Sequence, residues 1–356
     1  MMLDIGLAQL LTSRGPETRN EMSQEQTLPS FFFDTETNRA IHDALPEIVL
    51  DILALVTRLG DGAVLVAIAV LFYWFGAETD WRKRGMLMAI AVATLSLNAG
   101  LKGIFEIPRP FVADPTLLEE FAVESPGFST PSAHAMGAAA VYGGLAAVMD
   151  TGKRWQRYLI AAFLIGTIAL SRVTLGVHYL GDVILGVVLG LLLIAGALYA
   201  VDDSTESVLP MFAFALGVAL VSRPLGSEEF VTMSIGASAG GLIAWKFIHN
   251  RDPKPLGASI LAFGAVLIPA LLAFRVVEAL VTVDIFVAVA GFELPVMAGF
   301  RATGYAVLFG LALAVPAIAE QLNENARVRQ LQTALPFRGR TLDPELFDHH
   351  LTERDD

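Results

Sequence analysis

Residues 156–200 read QRYLIAAFLIGTIALSRVTLGVHYLGDVILGVVLGLLLIAGALYA. Two apolar runs, 156–173 and 180–200, are each long enough to cross about 30 Å of hydrocarbon as a helix. Only a short joint separates them, and in and around it stand Ser171, Arg172, His178 and Asp182. A bilayer interior penalises such groups unless they are satisfied or used. Two crossing helices joined at a polar knot predict an all-α, polytopic membrane bundle with its chemistry at helix ends.

The rest of the chain agrees. Its 356 residues are 54% hydrophobic and 17% charged, with a mean hydropathy of +0.60; a soluble chain carries about 25% charged residues. The net charge of −12 argues against a nucleic-acid partner. The absence of Cys excludes disulfides, thiolate catalysis and Cys-ligated metals. Residues 1–12 contain Asp4 and no basic leading segment, so no cleavable signal is expected.

Four regions are predicted. Residues 1–45 form a polar N-terminal arm, and 46–203 a core of one interfacial amphipathic helix (46–60) plus five spanning helices at 62–76, 84–104, 131–149, 156–173 and 180–200. Residues 204–320 form a second membrane domain with spans at 207–222, 229–248, 256–277 and 296–319, and 321–356 a polar tail. The apolar stretch 284–295, with Glu293 and Pro295, reads as re-entrant or interfacial. The basic clusters Arg82-Lys83-Arg84, Lys153-Arg154…Arg157 and Lys246…Arg251…Lys254 then share one face, which the positive-inside rule makes cytoplasmic. The arm is expected outside the cytoplasm and the tail inside, in a multi-pass protein of the cell membrane.

On the opposite face four helix ends meet. They bring Lys102, Arg109-Pro110, Thr130-Pro131-Ser132-Ala133-His134, Ser171-Arg172 and His178…Asp182 together. These residue types suit phosphoryl transfer. Cations hold the equatorial oxygens, and an Arg fork binds phosphate bidentately. With Pro131 at the first helical position, free amides near Ser132 and Ala133 would face the anion. His178 and Asp182, four apart, share a helical face, where the carboxylate can set the imidazole tautomer. His178 can attack phosphorus, and His134 can protonate the leaving oxygen and later activate water. No metal and no cofactor is required.

Lys-x6-Arg-Pro, Pro-Ser-x-His and Ser-Arg-x5-His-x3-Asp, in this order, resemble the three signatures of the type 2 phosphatidic acid phosphatases, which share their site with the vanadium haloperoxidases. The resemblance covers about residues 35–200. It implies a helical-bundle core, a lipid phosphate or polyprenyl (isoprenoid) diphosphate substrate among membrane lipids, metal-independent hydrolysis and a phosphohistidine intermediate. Position by position, it makes Lys102, Arg109 and Arg172 phosphate ligands and Ser132 a hydrogen-bond partner. His134 becomes the general acid, His178 the nucleophile and Asp182 its orienting partner. The family usually has Gly at Ala133, whose backbone N–H contacts phosphate.

Ordinary structural roles account for much of the remainder. Glu106 and Asp114 read as solvated loop carboxylates, while Phe111 and Tyr179 are candidates for the substrate entrance. Lys246, His249 and Arg251 read as a cytoplasmic anchor, and the Gly-rich run 234–241 as a close-packing surface. Arg275, Glu278, Asp284, Glu293 and Arg301 require pairing wherever they enter the bilayer. Two other functions use the same phosphate site: a lipid transporter or flippase built on residues 201–320, and a phosphotransferase passing the group to an alcohol. The sequence leaves the oligomeric state open.

Overall fold

In the computed structural model, residues 30–334 are described except 77–78, 118–126, 201–207, 255–256, 281–285 and 290–291. The N-terminal 29 residues, the tail from 335 onward and Asp284 therefore lie outside the described residues.

All nine apolar stretches become helices, within a few residues of the predicted bounds. After α1 (Thr35–Asp43) and α2 (Glu47–Val56) come α3 (Gly62–Phe75), α4 (Trp81–Phe105) and the short α5 (Pro110–Ala113). Next are α6 (Ala133–Val148), α7 (Arg154–Thr174), α8 (Leu180–Ala200), α9 (Val208–Val221), α10 (Glu228–Ile248) and α11 (Gly257–Leu280). A hairpin of β1 (Phe286–Val289) and β2 (Phe292–Pro295) precedes α12 (Val296–Ala319) and α13 (Ala326–Ala334).

Not every one of the nine is long enough to cross alone. Among the described residues, six helices pass by length and apolarity. A seventh crossing results if α2, the 3-10 turn Thr57–Gly60 and α3 form one span bent by 55°. The expected interfacial helix at 46–60 is thus helical but runs on, through the bend, into α3, and its exposed residues are mixed, Ile48, Ile52 and Leu55 beside Glu47, Asp51 and Arg58. Helices α6 and α9 are short, with 16 and 14 residues. For α6 the reason is local: residues 129–132 are spent on side-chain and backbone bonds inside the site, so the helix starts only at Ala133.

Helix α4 is the central post. In its apolar window 67% of residues are buried inside the protein, against 12% for the peripheral α11. The Asp80 side chain caps its start through Arg82 N (2.8 Å), and Glu106, in the left-handed region at φ 48°, ends it. Helices α3, α6 and α8 pack on one side of α4; α9 and α10 pack on the other. The first group and the second therefore share one core, with Tyr73, Trp81 and Met88 meeting Phe212, Trp245 and Leu313. The Trp81 and Trp245 rings stack at 5.6 Å. Tyr73 Oη donates to Leu313 O and Trp74 Nε1 to Ala312 O, both at 2.8 Å. Although the chain divides near residue 203 in sequence, the described halves are not separated in space.

The close approaches rest on glycine. A Cβ on Gly240 would run into the Ala306 carbonyl of α12, and one on Gly103 into the Leu225 carbonyl of the α9–α10 turn. The charges of α11 and α12 are paired: Glu278 accepts from Arg275 Nη1 (2.7 Å) and lies 2.9 Å from Arg301 Nε. The described part of the apolar stretch 284–295 is an antiparallel hairpin, Phe286 opposite Pro295 and Val289 opposite Phe292. Part of the predicted polar tail is helical and tied down, with Asn323 Oδ1 accepting from Ser259 Oγ at 3.1 Å.

Candidate active site

The ends of α4 and α7 and the starts of α6 and α8 converge on one face. The opposite face gathers the basic clusters: Lys83 pairs with Asp150 (3.3 Å) beside the 153–157 group, and Trp81 stacks on Trp245 next to Lys246. This convergence brings every predicted site residue together.

His178 is the centre and is 1% exposed. It lies in the joint between α7 and α8, where Gly176 at φ 69° makes a turn that costs a side-chain-bearing residue more. Its Nδ1 faces Asp182 Oδ2 (3.3 Å) and Ser129 Oγ (3.2 Å); its Nε2 faces Arg109 Nη1 (3.2 Å). A carboxylate on one side and a guanidinium on the other assign the proton to Nδ1 and the lone pair to Nε2. Burial, followed by the charges of Arg109, Lys102 and Arg172, holds the imidazole well below its usual pKa. It is neutral at neutral pH.

Asp182, one helical turn on, is fully buried and saturated with donors. Ser129 Oγ donates to Oδ2 and Thr130 Oγ1 to Oδ1, and Tyr179 N–H reaches Oδ2 at 2.8 Å. Its backbone carbonyl accepts from Ser132 N–H at 3.0 Å. That bond corrects the expectation for the start of α6. Pro131 is not the first helical residue: the helix begins at Ala133, and Ser132 is its N-cap, with Oγ accepting from Ala135 N–H at 3.5 Å. The Ser132 amide is spent on Asp182. The helix-end donors left by position are the amides of Ala133, which is exposed, and His134.

The cations surround the open side. Arg109 is anchored by Gly127 O (3.1 Å, from Nε) and Val177 O (3.0 Å, from Nη1). Lys102 Nζ donates to Phe128 O at 2.9 Å. Arg172 bonds Thr57 Oγ1 through Nη1 (2.8 Å), and its buried Nε has no hydrogen-bond partner among the described residues. Three cations held by neutral oxygens rather than carboxylates leave net positive charge available to an anion. His134 stands across the site, its Nε2 2.8 Å from Asp61 Oδ1.

Several neighbours were not legible in the sequence. Asp61, Thr57 and Asn38 lie 73, 115 and 135 or more positions from the groups they bond. Asn38 Nδ2 donates to Val173 O (3.0 Å) and His178 O (2.8 Å), so α1, within the predicted polar arm, clamps the loop that carries His178. Ser129 and Thr130 adjoin the Pro-Ser-x-His motif, and that adjacency was the available signal. Tyr179 is buried against Phe33 (6.0 Å between ring centres). Glu106 is exposed as expected, while Asp114 is bound by Arg39 Nη2 (2.5 Å) and Thr116, the latter contributing most to a lowered carboxyl pKa.

Residues 63–206, which contain Lys102 through Asp182, match the model of the PAP2 superfamily. Over 148 residues the chain is 33% identical to the phosphatidylglycerophosphatase B of Bacillus subtilis (strain 168), covering 39% of this chain and 68% of that one. This chain belongs to the PAP2 superfamily. A second relative, sphingosine-1-phosphate phosphatase 1 of Rattus norvegicus, is 26% identical over 189 residues, 47% of this chain and 43% of that one. Among solved structures, a transmembrane PAP2-type phosphatidylglycerolphosphate phosphatase from Bacillus subtilis is 25% identical at a TM-score of 0.37, covering 55% of this chain and 93% of that one. Asn38, Thr57 and Asp61 fall outside the stretch matched by the PAP2 model.

Proposed function

We propose that this chain is a metal-independent lipid phosphate phosphatase working through a phosphohistidine on His178, with its site on the extracytoplasmic face of the cell membrane. The observation that carries this is the polarity of His178: a carboxylate on Nδ1 and a lone pair on Nε2 directed among Arg109, Lys102 and Arg172.

The phosphate replaces Arg109 as the partner of Nε2, and the three cations take its equatorial oxygens. Nε2 attacks phosphorus, forming an N–P bond while the P–O bond breaks, its electron pair leaving on the alkoxide. His134 protonates that oxygen. Asp182 stabilises the positive charge that appears on the His178 ring. Water, giving a proton to His134, then attacks phosphorus, and the N–P electron pair returns to Nε2. Fixed guanidinium and ammonium groups supply the charge neutralisation that a metal would otherwise supply.

Exposed apolar residues flank the site: Ile104 and Phe105 at the end of α4, Val112 on α5, and Phe128. They suit a substrate whose head group enters the site while its tail stays in lipid. The names of both relatives point to monoesters of membrane lipids, so a monoester is favoured over an isoprenoid diphosphate. The three basic clusters on the far face support an extracytoplasmic site.

Phosphate release from phosphatidylglycerol phosphate, phosphatidic acid and a polyprenyl diphosphate, measured on purified protein in EDTA, tests this reading. Activity is expected to survive the chelator and to vanish in His178→Ala. A variant of that kind with undiminished turnover would sink the phosphohistidine mechanism.

A further inference from the structure

Asp61 stands at the N-cap position of α3, where an Asp ordinarily accepts a bond from the helix's first amides. Here it makes no side-chain cap; Oδ1 instead reaches His134 Nε2 at 2.8 Å, across 73 positions of sequence. The 55° break before α3 places it there. Gly60 is buried against the His134 ring, where an added Cβ would meet Cδ2 at 3.0 Å and Cβ at 3.2 Å. Tyr142 Oη fastens the same turn through Leu59 O (2.9 Å), and Arg172 fastens it through Thr57 (2.8 Å). A helix start has given up its own cap to set a carboxylate on a histidine.

We propose that Asp61 is the positioning residue of the general acid, forming with His134 a second His–Asp dyad opposite His178–Asp182. The inference rests on the phosphatase reading above. The two dyads use opposite nitrogens. Asp182 takes Nδ1 of His178 and frees Nε2 to attack; Asp61 takes Nε2–H of His134 and frees Nδ1 to carry the proton. In the first step Nδ1–H passes its proton to the departing alkoxide, leaving a neutral ring with Nε2–H still on Asp61. In the second step Nδ1 accepts a proton from the attacking water, restoring the imidazolium. The carboxylate stabilises that charged form in a site otherwise lined by the cations Lys102 and Arg172. It also fixes which nitrogen faces the substrate. The other charged or titratable groups about the pair are Arg58, 3.8 Å from Asp61, and His178.

The test compares Asp61→Asn, which preserves shape and capping ability, on two substrates. One is an alkyl phosphate monoester such as phosphatidic acid, whose leaving oxygen needs a proton; the other is p-nitrophenyl phosphate, whose leaving group needs none. The expected loss in kcat/KM, which reads the step that expels the leaving group and not the hydrolysis common to both esters, is about 10–100-fold on the alkyl ester and at least tenfold smaller on the aryl ester. His134→Ala should show the same pattern more strongly, and adding Asp61→Asn to it should change nothing further. In the pH profile for the alkyl ester, Asp61→Asn should move the alkaline limb of kcat/KM to lower pH and leave the acid limb in place. Equal losses on both esters with an unmoved alkaline limb would make Asp61 merely structural, and no loss on either would remove it altogether; both overturn the proposal. Full activity in His178→Ala would instead overturn the phosphatase mechanism beneath it, a result separable from either.

Discussion

Replacing Asp182 by Asn removes one negative charge and almost nothing else. Oδ2 serves three donors, the Tyr179 N–H, the Ser129 hydroxyl and His178 Nδ1–H, while Oδ1 serves only the Thr130 hydroxyl. The Asn side chain can keep its oxygen toward the three and turn its NH2 to Thr130, whose hydroxyl rotates to accept. The pocket keeps its shape, and what is lost is the attraction between the carboxylate and the cationic ring formed on attack. At 3.3 Å and an effective dielectric of about 20 this is about 5 kcal/mol. The neutral hydrogen bond that remains returns about 1 kcal/mol, and the donors already spread the carboxylate charge. A net 3–4 kcal/mol corresponds to a fall in kcat of roughly 10²–10³-fold. Thr130→Val, acting on the remote oxygen, should cost about tenfold or less. The assay is phosphate release under saturating lipid in mixed micelles, beside thermal melting by circular dichroism. An Asp182→Asn protein with unchanged melting and kcat within tenfold of the parent would refute the electrostatic role.

Two further outcomes follow from the same geometry. Burial and the Arg109, Lys102 and Arg172 charges depress the His178 pKa, so the neutral imidazole persists well below the usual value of about 6.5. The acid limb of kcat/KM should therefore fall well below that value, and Arg109→Gln, removing the largest cationic cause, should move it to higher pH; a profile over about pH 4–8 reads both. Truncation after residue 203 should cost thermal stability and activity together. It strips α9 from α4, removes the Leu225 carbonyl seated on Gly103 beside Lys102, and takes away the carbonyls that satisfy Tyr73 and Trp74. Full hydrolysis by that fragment would return the C-terminal helices to a separate role such as transport.

Much of this protein is written locally. An apolar run must satisfy its backbone internally, so each such stretch was legible as a helix, and the polar ends of those helices were legible as a site because polar groups cannot be placed idly at membrane depth. The order and spacing of Lys102, Arg109, His134, Arg172, His178 and Asp182 marked phosphoryl chemistry before any contact was known. Tertiary structure alone decided how those residues are held. It placed Asn38 on the His178 loop, Thr57 on Arg172 and Asp61 on His134. It spent the Ser132 amide on Asp182 instead of on a ligand, and seated the C-terminal helices on α4. These are bonds between residues scores of positions apart. Sequence period and composition report which face of an element is apolar, but not which distant donor or carboxylate a bend such as the one at Asp61 will bring within 3 Å.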